Sequence, residues 1–186
     1  MVRSAFLSDV IAYTGEQLRS HWAYETYDLQ GESIVAFIGP CDVKLELMVD
    51  LADRKEKKAI YSEEMLHFIV EHFDLDLEKT ILKQKLLVVL LMEKLNNRLR
   101  EDIVHRLGDD LFEKDRKLSV SIATLTPVST MIHLGVNISS ANTPVLTKGL
   151  RDYGIDPVEL AEAVMNQYMA ELRMMEVARC KVRGVP

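Results

Sequence analysis

The sequence is poor in cysteine and has no long hydrophobic run. Its two cysteines, Cys41 and Cys180, are too few for a disulfide framework or a four-thiolate zinc site, and they favour a reducing compartment, the cytoplasm. The longest apolar run, residues 86–92, is much shorter than the roughly 20 residues that cross a bilayer. The N-terminal segment carries neither an apolar signal core nor an arginine-rich transit pattern. We therefore expect a soluble, cytoplasmic protein with no membrane partner.

An excess of positive charge and a glycine-rich loop are also absent. Lys and Arg number 23 against 29 Asp and Glu, and the net charge of −6 argues against charge-driven binding of nucleic acid. Glycines such as Gly108 and Gly135 stand alone, so the sequence has no Walker or dinucleotide-binding motif. The cofactor is therefore unknown, and ATP stays open although no phosphate-binding loop is seen.

The residues that are present favour one mixed domain. The 186 residues are 48% hydrophobic and can bury a core of their own, so we predict a single domain, 1–186. Apolar and alternating runs predict four strands, at 6–13, 33–38, 117–124 and 129–138. Helical spacing predicts a helix over 77–99 behind the N-cap Asp76, and a last helix after Asp156. The predicted class is α+β, a mostly antiparallel sheet with helices packed on one face.

Four segments are harder to assign from the pattern. Residues 17–27 are either a short helix or an irregular aromatic segment, and residues 65–73 suit a helix by one spacing and a strand by another. The dense charge of residues 53–58 predicts a solvated loop. The strand at 33–38 should stop at the following Gly-Pro pair, residues 39–40.

The last two predicted strands carry the residues with the most chemical promise. One face of the first has a lysine and two serines, and one face of the second has a histidine, a glycine and an asparagine: Lys117, Ser119, Ser121, His133, Gly135 and Asn137. If the strands pair as neighbours, these small polar faces leave room for a ligand, and a lone lysine could neutralise a carboxylate, a phosphate or a developing oxyanion. Asp109 and Asp110 are either turn or edge carboxylates, or carboxylates that fix the lysine ammonium or orient a ligand group. A partly exposed sheet with a snorkelling lysine is the alternative.

Two further groups could carry chemistry. His67, Glu71 and His72 resemble a ligand cluster, so a metal-dependent hydrolase that uses His67, Glu71 or His133 is an alternative function, although their spacing mismatches the known zinc helix signatures. Cys41 would be a nucleophile if a base lay beside it, and otherwise a buried, unreactive thiol. We assign no metal ligand from these patterns.

Three stretches of sequence resemble an archaeal protein family. They are Gly-Pro-Cys-Asp-Val-Lys at 39–44, Met-Leu-His-Phe-Ile-Val-Glu-His-Phe at 65–73, and Asp-Arg-Lys-Leu-Ser-Val-Ser-Ile-Ala at 115–123. The family is number 366 of the domains of unknown function, and the resemblance covers the whole chain. This family name implies no activity.

A more distant resemblance, over residues 61–140, points to ligases. The Asp-Leu pair at 110–111 and the Arg-Lys-Leu-Ser stretch at 116–119 are similar to the lipoate–protein ligase pattern. The stretch His-Leu-Gly-Val-Asn at 133–137 stands where octanoyltransferases have a His-Gly strand and biotin protein ligases have Gly-x-Gly-x-Asn. No cysteine follows Asn137 as in octanoyltransferases, and the glycine- and arginine-rich loop of biotin ligases is missing, so the reaction stays open.

The ligase resemblance implies a role for each matching residue. Lys117 would bind the activated acyl group or its carboxylate as the catalytic residue, and Asp110 would hold the lysine or an adenylate. The other substrate-binding residues implied are Arg116, Ser119, Ser121, His133, Gly135, Asn137 and His67. The chain would then be an acyltransferase- or ligase-like protein with a small carboxylate or acyl donor and a carrier protein as partners. A non-catalytic module that binds a small molecule or a protein is the alternative on the same fold, and a homodimer would cover an exposed edge strand.

Overall fold

The computed structural model describes residues 2–58 and 60–185. Its strands are β1 Arg3–Val10, β2 Ser33–Val43, β3 Ile60–His72, β4 Val104–Leu107, β5 Asp110–Glu113, β6 Arg116–Lys117, β7 Ser119–Leu125 and β8 Thr130–Asn137. Its helices are α1 Trp22–Tyr27, α2 Leu51–Glu56, α3 Leu77–Leu99 and α4 Pro157–Lys181, with single 3₁₀ turns at Leu45–Leu47 and Leu150–Tyr153. Within these ranges no helix combines the length and the apolar character that crossing a bilayer requires.

Five of the strands form a main sheet in the order β1-β2-β3-β8-β7. β1 runs parallel to β2, and every other neighbouring pair in this sheet is antiparallel. Strands β4, β5 and β6 form a small antiparallel sheet beside it. The long helices α3 and α4 pack on one face of the main sheet, which we call the helix face. The predicted class is confirmed, with β1 making the main sheet mixed.

The helix face holds the larger core. α3 spans the predicted residues, and the side chain of Asp76 accepts a hydrogen bond from the backbone N–H of Lys79 at 3.0 Å, as an N-cap does. Leu87 of α3 is fully buried in one cluster with Phe68 and Leu134 of the sheet. Each such side chain contributes about 1.5–3 kcal/mol by leaving water. This packing fixes the sheet and leaves its opposite face to carry the site.

Strand β2 continues through the Gly-Pro pair at which the pattern predicted a stop. A side chain at Gly39 would place its Cβ 1.9 Å from the carbonyl oxygen of Ile11, so glycine allows the two backbones to approach closely there. The register with β3 shifts between Gly39 and Cys41, and Pro40 lies within this β-bulge. A bulge tolerates the missing N–H of proline, which explains why the strand does not end.

Three other expectations change in the structure. The first strand is Arg3–Val10 rather than 6–13, because its register with β2 shifts after Leu7 and only single backbone contacts with β2 follow, at Ile11 and Tyr13. The ambiguous residues 65–73 lie mainly in β3. The charged segment 53–58 is not a loop throughout, since its first four residues belong to α2, whose N-cap Asp50 accepts two backbone N–H bonds.

Candidate functional site

A cavity of about 710 Å³ lies on the face of the main sheet opposite α3 and α4. We call this the cavity face. The sheet contributes Met65, Val120, Ile122, His133 and Asn137 to its lining. The region around α2, the β4–β5 turn and the loop after β8 contribute Met48, Asp53, Gly108, Asp110 and Val145. This volume is within the range of small-molecule sites.

The cavity presents a lysine that is paired with a carboxylate. The Nζ atom of Lys117 lies 2.6 Å from Oδ2 of Asp110, and the two side chains are 30% and 23% exposed. Burial raises the pKa of Asp110, and the positive charge of Lys117 opposes that rise. Lys58 also borders the cavity, but it is 59% exposed and pairs with Asp53 and Glu56. Lys117 is therefore the better-shielded of these two cations.

The backbone of Lys117 is held by the segment after β8 and by Asn137. Its N–H donates to the carbonyl of Leu146 at 3.0 Å, and its carbonyl accepts from the N–H of Lys148 at 3.1 Å. The side-chain amide of Asn137 donates to the same carbonyl at 3.3 Å. Asn137 thus reaches Lys117 as the pairing of the two strands predicted, and it positions the lysine strand at the cavity.

The serines of the lysine strand lie on the helix face, contrary to the sequence prediction. In the β7–β8 pairing Val120 is opposite Gly135 and Ser119 is opposite Val136, and directly opposite residues share a face of the sheet. The alternation shifts at Leu118, which lies between β6 and β7 and donates its N–H to the carbonyl of Leu111 in the small sheet. Ser119 therefore faces away from the cavity, whereas Ser121 borders the cavity from the edge strand β7.

Each serine hydroxyl already has a partner. The Ser119 hydroxyl accepts the backbone N–H of Leu111 at 2.9 Å. Ser121 borders the cavity, but its hydroxyl donates to the carbonyl of Asp109 at 2.8 Å and accepts from the Gln84 amide of α3 at 2.7 Å. These bonds tie β7 to the small sheet and to α3.

His133 lines the cavity and is backed by His67. The Nε2 atom of His133 lies 3.1 Å from Nδ1 of His67, whose own Nε2 lies 3.2 Å from the carbonyl oxygen of Gly39. Burial lowers the pKa of His67 to about 3 and the pKa of His133 well below its usual value. Both imidazoles are therefore neutral at pH 7.

The remaining members of the predicted site do not contact the cavity directly. His67 is fully buried behind His133. A Cβ at Gly135 would lie 3.0 Å from Cε of Met65, so the space beside this glycine is filled by protein. Arg116 is exposed and lies outside the set of described residues that line the cavity. The structure thus brings five predicted residues together at the cavity wall, namely Lys117, Asp110, Ser121, His133 and Asn137.

The other candidate groups are engaged elsewhere. Cys41 is fully buried, and burial raises the pKa of its thiol to about 12, which disfavours a nucleophilic thiolate. Glu71 accepts hydrogen bonds from the N–H of His21 and the hydroxyl of Ser129. His72 lies on the helix face beside Tyr168. In residues 2–58 and 60–185 no cluster of three or more His, Cys, Asp or Glu side chains is placed to hold a metal ion.

Sequence reasoning missed Tyr13 and the region around α2 as parts of the site. Tyr13 lines the cavity and stacks on His133, with ring centroids 3.7 Å apart and ring planes 12° apart. The only signal was a tyrosine at the end of the predicted first strand. The apolar residues before α2, Leu47 and Met48, reach the cavity from a segment that carries no periodic pattern.

Comparison with known proteins places the chain in a family. The model of a family described as "Domain of unknown function (DUF366)" matches residues 2–183. An uncharacterized protein of Methanocaldococcus jannaschii is 40% identical over 182 residues, which cover 92% of this chain and 80% of that protein. A solved protein of unknown function from Pyrococcus horikoshi aligns over 100% of both chains with 37% identity and a TM-score of 0.93.

Solved ligases share the fold at low sequence identity. The biotin protein ligase from Aquifex aeolicus in complex with biotin and ATP has a TM-score of 0.61 at 13% identity, over 92% of this chain and 70% of that chain. A T. acidophilum protein with bound lipoic acid has a TM-score of 0.54 at 13% identity, over 91% and 84%. This likeness confirms the predicted biotin/lipoate ligase-like fold. The match over residues 2–183 shows that the chain belongs to the family described as Domain of unknown function (DUF366).

Proposed function

We propose that the cavity binds a small molecule with a carboxylate or an activated acyl group, whose oxygen lies against the ammonium of Lys117. The observation that carries this proposal is the position of Lys117, which lines a cavity of about 710 Å³ and whose side chain is only 30% exposed. A charge-assisted hydrogen bond in such a shielded place is stronger than one in open solvent. The lysine is thus suited to hold an anionic group.

The ion pair with Asp110 leaves capacity for a ligand. A lysine ammonium has three donors, and Asp110 at 2.6 Å uses one of them. Since burial raises the pKa of Asp110, a second carboxylate nearby would favour proton uptake by Asp110 rather than direct repulsion. Asp110 can therefore take up a proton while the ammonium of Lys117 binds the carboxylate of an incoming acid.

The ligands of the structural neighbours support the same chemistry. Biotin, bound in the A. aeolicus ligase, and lipoic acid, bound in the T. acidophilum protein, are both carboxylic acids. We extend to this chain the corresponding reaction class, transfer or ligation of an acyl group, with Lys117 stabilising negative charge on the reacting carbonyl oxygen. A carrier protein as acceptor, ATP as co-substrate and the cytoplasm as location belong to this proposal.

A binding module without turnover is a second candidate. It is favoured by Cys41, which is fully buried with a raised pKa, and by the absence of any cysteine among the described residues that line the cavity. A thioester-forming transferase would need an accessible nucleophile. Incubation with ATP and an acid that binds, followed by mass spectrometry, separates the two candidates, because only the ligase would form an acyl-adenylate.

Calorimetric titration with a medium-chain acid such as octanoate tests the proposal. We expect Lys117→Met to weaken binding about 10- to 100-fold, since a hydrogen bond to a charged group contributes about 1.5–3 kcal/mol. Lys85→Met is the matched control, because Lys85 pairs with the neighbouring Asp109 but lies outside the lining, and we expect it to keep the wild-type affinity. Equal affinities of wild type and Lys117→Met would refute the proposal.

A further inference from the structure

The hydrogen bonds behind His133 define the protonation of both imidazoles. The carbonyl of Gly39 can only accept, so Nε2–H of His67 donates to it. Nδ1 of the neutral His67 is then an acceptor, and Nε2–H of His133 must donate to it. The alternative, a His67 that donates from both nitrogens, would be a fully buried imidazolium. Consequently Nδ1 of His133 carries a lone pair and no proton.

This lone pair has no partner in the described part of the chain. No hydrogen bond joins Nδ1 of His133 to any residue in 2–58 or 60–185. Tyr13 cannot supply one, because its ring stacks nearly parallel on the imidazole at 3.7 Å, whereas the lone pair lies in the imidazole plane. An acceptor of this kind on a cavity wall favours a ligand with an N–H or O–H group.

The hydroxyl of Tyr13 adds a donor at the same place. Tyr13 lines the cavity with His133, and burial raises the pKa of its phenol, so the proton stays on. In the described residues this hydroxyl also has no hydrogen-bond partner. One acceptor and one donor side by side match a hydroxyl or an amide.

The imidazole of His133 reaches over Gly135, where an added Cβ would lie 3.3 Å from Cε1 of His133. Gly135 and Asn137 are two residues apart on β8, which corresponds to about 7 Å along a strand. Two apolar residues line the cavity beside them, Met65 opposite Asn137 and Val120 opposite Gly135. The lining therefore has a second polar group, His133 with Tyr13, next to the contact between Asn137 and the lysine strand.

We propose that the ligand carries a hydroxyl or amide group in addition to its carboxylate, and that His133 and Tyr13 select it over an acid with a plain hydrocarbon tail. This inference rests on the proposed function for the carboxylate end. It narrows the substrate class to acids that carry a second polar group.

The affinities of octanoate and of the monoamide of suberic acid, which have the same chain length, test this selection. We expect the monoamide to bind wild type about tenfold or more tightly than octanoate, as one or two added hydrogen bonds would give. His133→Phe, which keeps a ring beside Tyr13, and Tyr13→Phe should each remove this preference, so that each variant binds the two acids with equal affinity. Equal affinities for the two acids in wild type would overturn the inference and leave the proposed function standing. Failure of both acids to bind would overturn both.

Nitrogen-15 NMR of histidine-labelled wild type tests the same inference without a variant. We expect the resonances of His67 and His133 to show neutral rings protonated at Nε2, and the monoamide to shift the Nδ1 resonance of His133 while octanoate does not. A proton on Nδ1 of His133 in the free protein, or equal shifts with both acids, would overturn the inference.

Discussion

Strand β3 carries two buried histidines that lie on opposite faces of the main sheet. His72, on the helix face, has Glu32 Oε1 at 3.3 Å from Nδ1 and the Tyr168 hydroxyl at 2.9 Å from Nε2. His67, on the cavity face, passes its hydrogen bonds on to His133, whose Nδ1 has no partner in the described residues. One strand thus supports a completed polar cluster and an incomplete one.

This difference distinguishes polar groups that stabilise the fold from polar groups that are available to a ligand. Buried polar groups are nearly always paired, so the cluster of Glu32, His72 and Tyr168 needs nothing further. The pair of Tyr13 and His133 leaves a donor and an acceptor beside a cavity, where a ligand can complete them. Histidine and tyrosine therefore have opposite roles on the two faces.

Replacing each of the two tyrosines with phenylalanine tests the difference between the two faces most clearly. Tyr168→Phe removes a hydroxyl bonded to the buried His72, and we expect a loss of about 1–3 kcal/mol in the free energy of unfolding. Tyr13→Phe removes a hydroxyl without a described partner, so we expect a change within about 0.5 kcal/mol. Urea unfolding of both variants measures these values, and equal losses would contradict the distinction.

The acid sensitivity of the fold should come in part from the cavity face. Burial lowers the folded-state pKa of His67 to about 3, from an ordinary value of 6.5. As pH falls from 6.5 toward 3, the unfolded chain therefore takes up a proton that the folded chain does not, and stability falls by about 1.4 kcal/mol for each pH unit. Above pH 6.5 this contribution is complete and flat.

His67→Gln provides the control for this pH dependence. Glutamine can still donate to the Gly39 carbonyl but does not titrate, so the slope of unfolding free energy against pH should decrease by about one proton between pH 4 and pH 6. Urea unfolding at a series of pH values measures the slope. An unchanged slope would show that His67 is protonated in the folded protein.

Ser119→Ala tests whether Ser119 belongs to the helix face, and we expect it to have the smallest effect of these substitutions. Because its hydroxyl accepts the Leu111 N–H on the helix face, Ser119→Ala should lower stability by about 1 kcal/mol and leave acid affinity within about twofold of wild type. Unfolding and calorimetric titration of one preparation check both values. A large loss of acid affinity with an unchanged free energy of unfolding would indicate that Ser119 lines the cavity after all.

The sequence was sufficient where local rules act alone. The helix over residues 77–99 and the caps Asp76 and Asp156 follow from periodicity and from side-chain capping, and all are confirmed. The contact between the lysine strand and Asn137 also follows from pairing the two alternating strands. These features depend on neighbours close in the chain or directly across a hairpin.

The remaining features depend on contacts between distant segments. The faces on which successive side chains lie shift at Leu118, because its backbone bonds to both the small sheet and the main sheet. The sequence at 117–124 alternates without a break and therefore does not predict this shift. Tyr13 reaches the cavity because the segment before it passes close to the backbone of Gly39. The tautomer of His133 depends on the carbonyl of Gly39, which accepts a hydrogen bond from His67. The periodicity of a single sequence does not predict contacts between segments that are distant in the chain.

A crystal structure of the protein with a bound medium-chain acid tests the central claim most directly. The account predicts one carboxylate oxygen at about 2.7–2.9 Å from Nζ of Lys117, with the chain lying along Met65 and Val120. An acid bound with its carboxylate beside Lys58, or with its tail directed at Lys117, would contradict it.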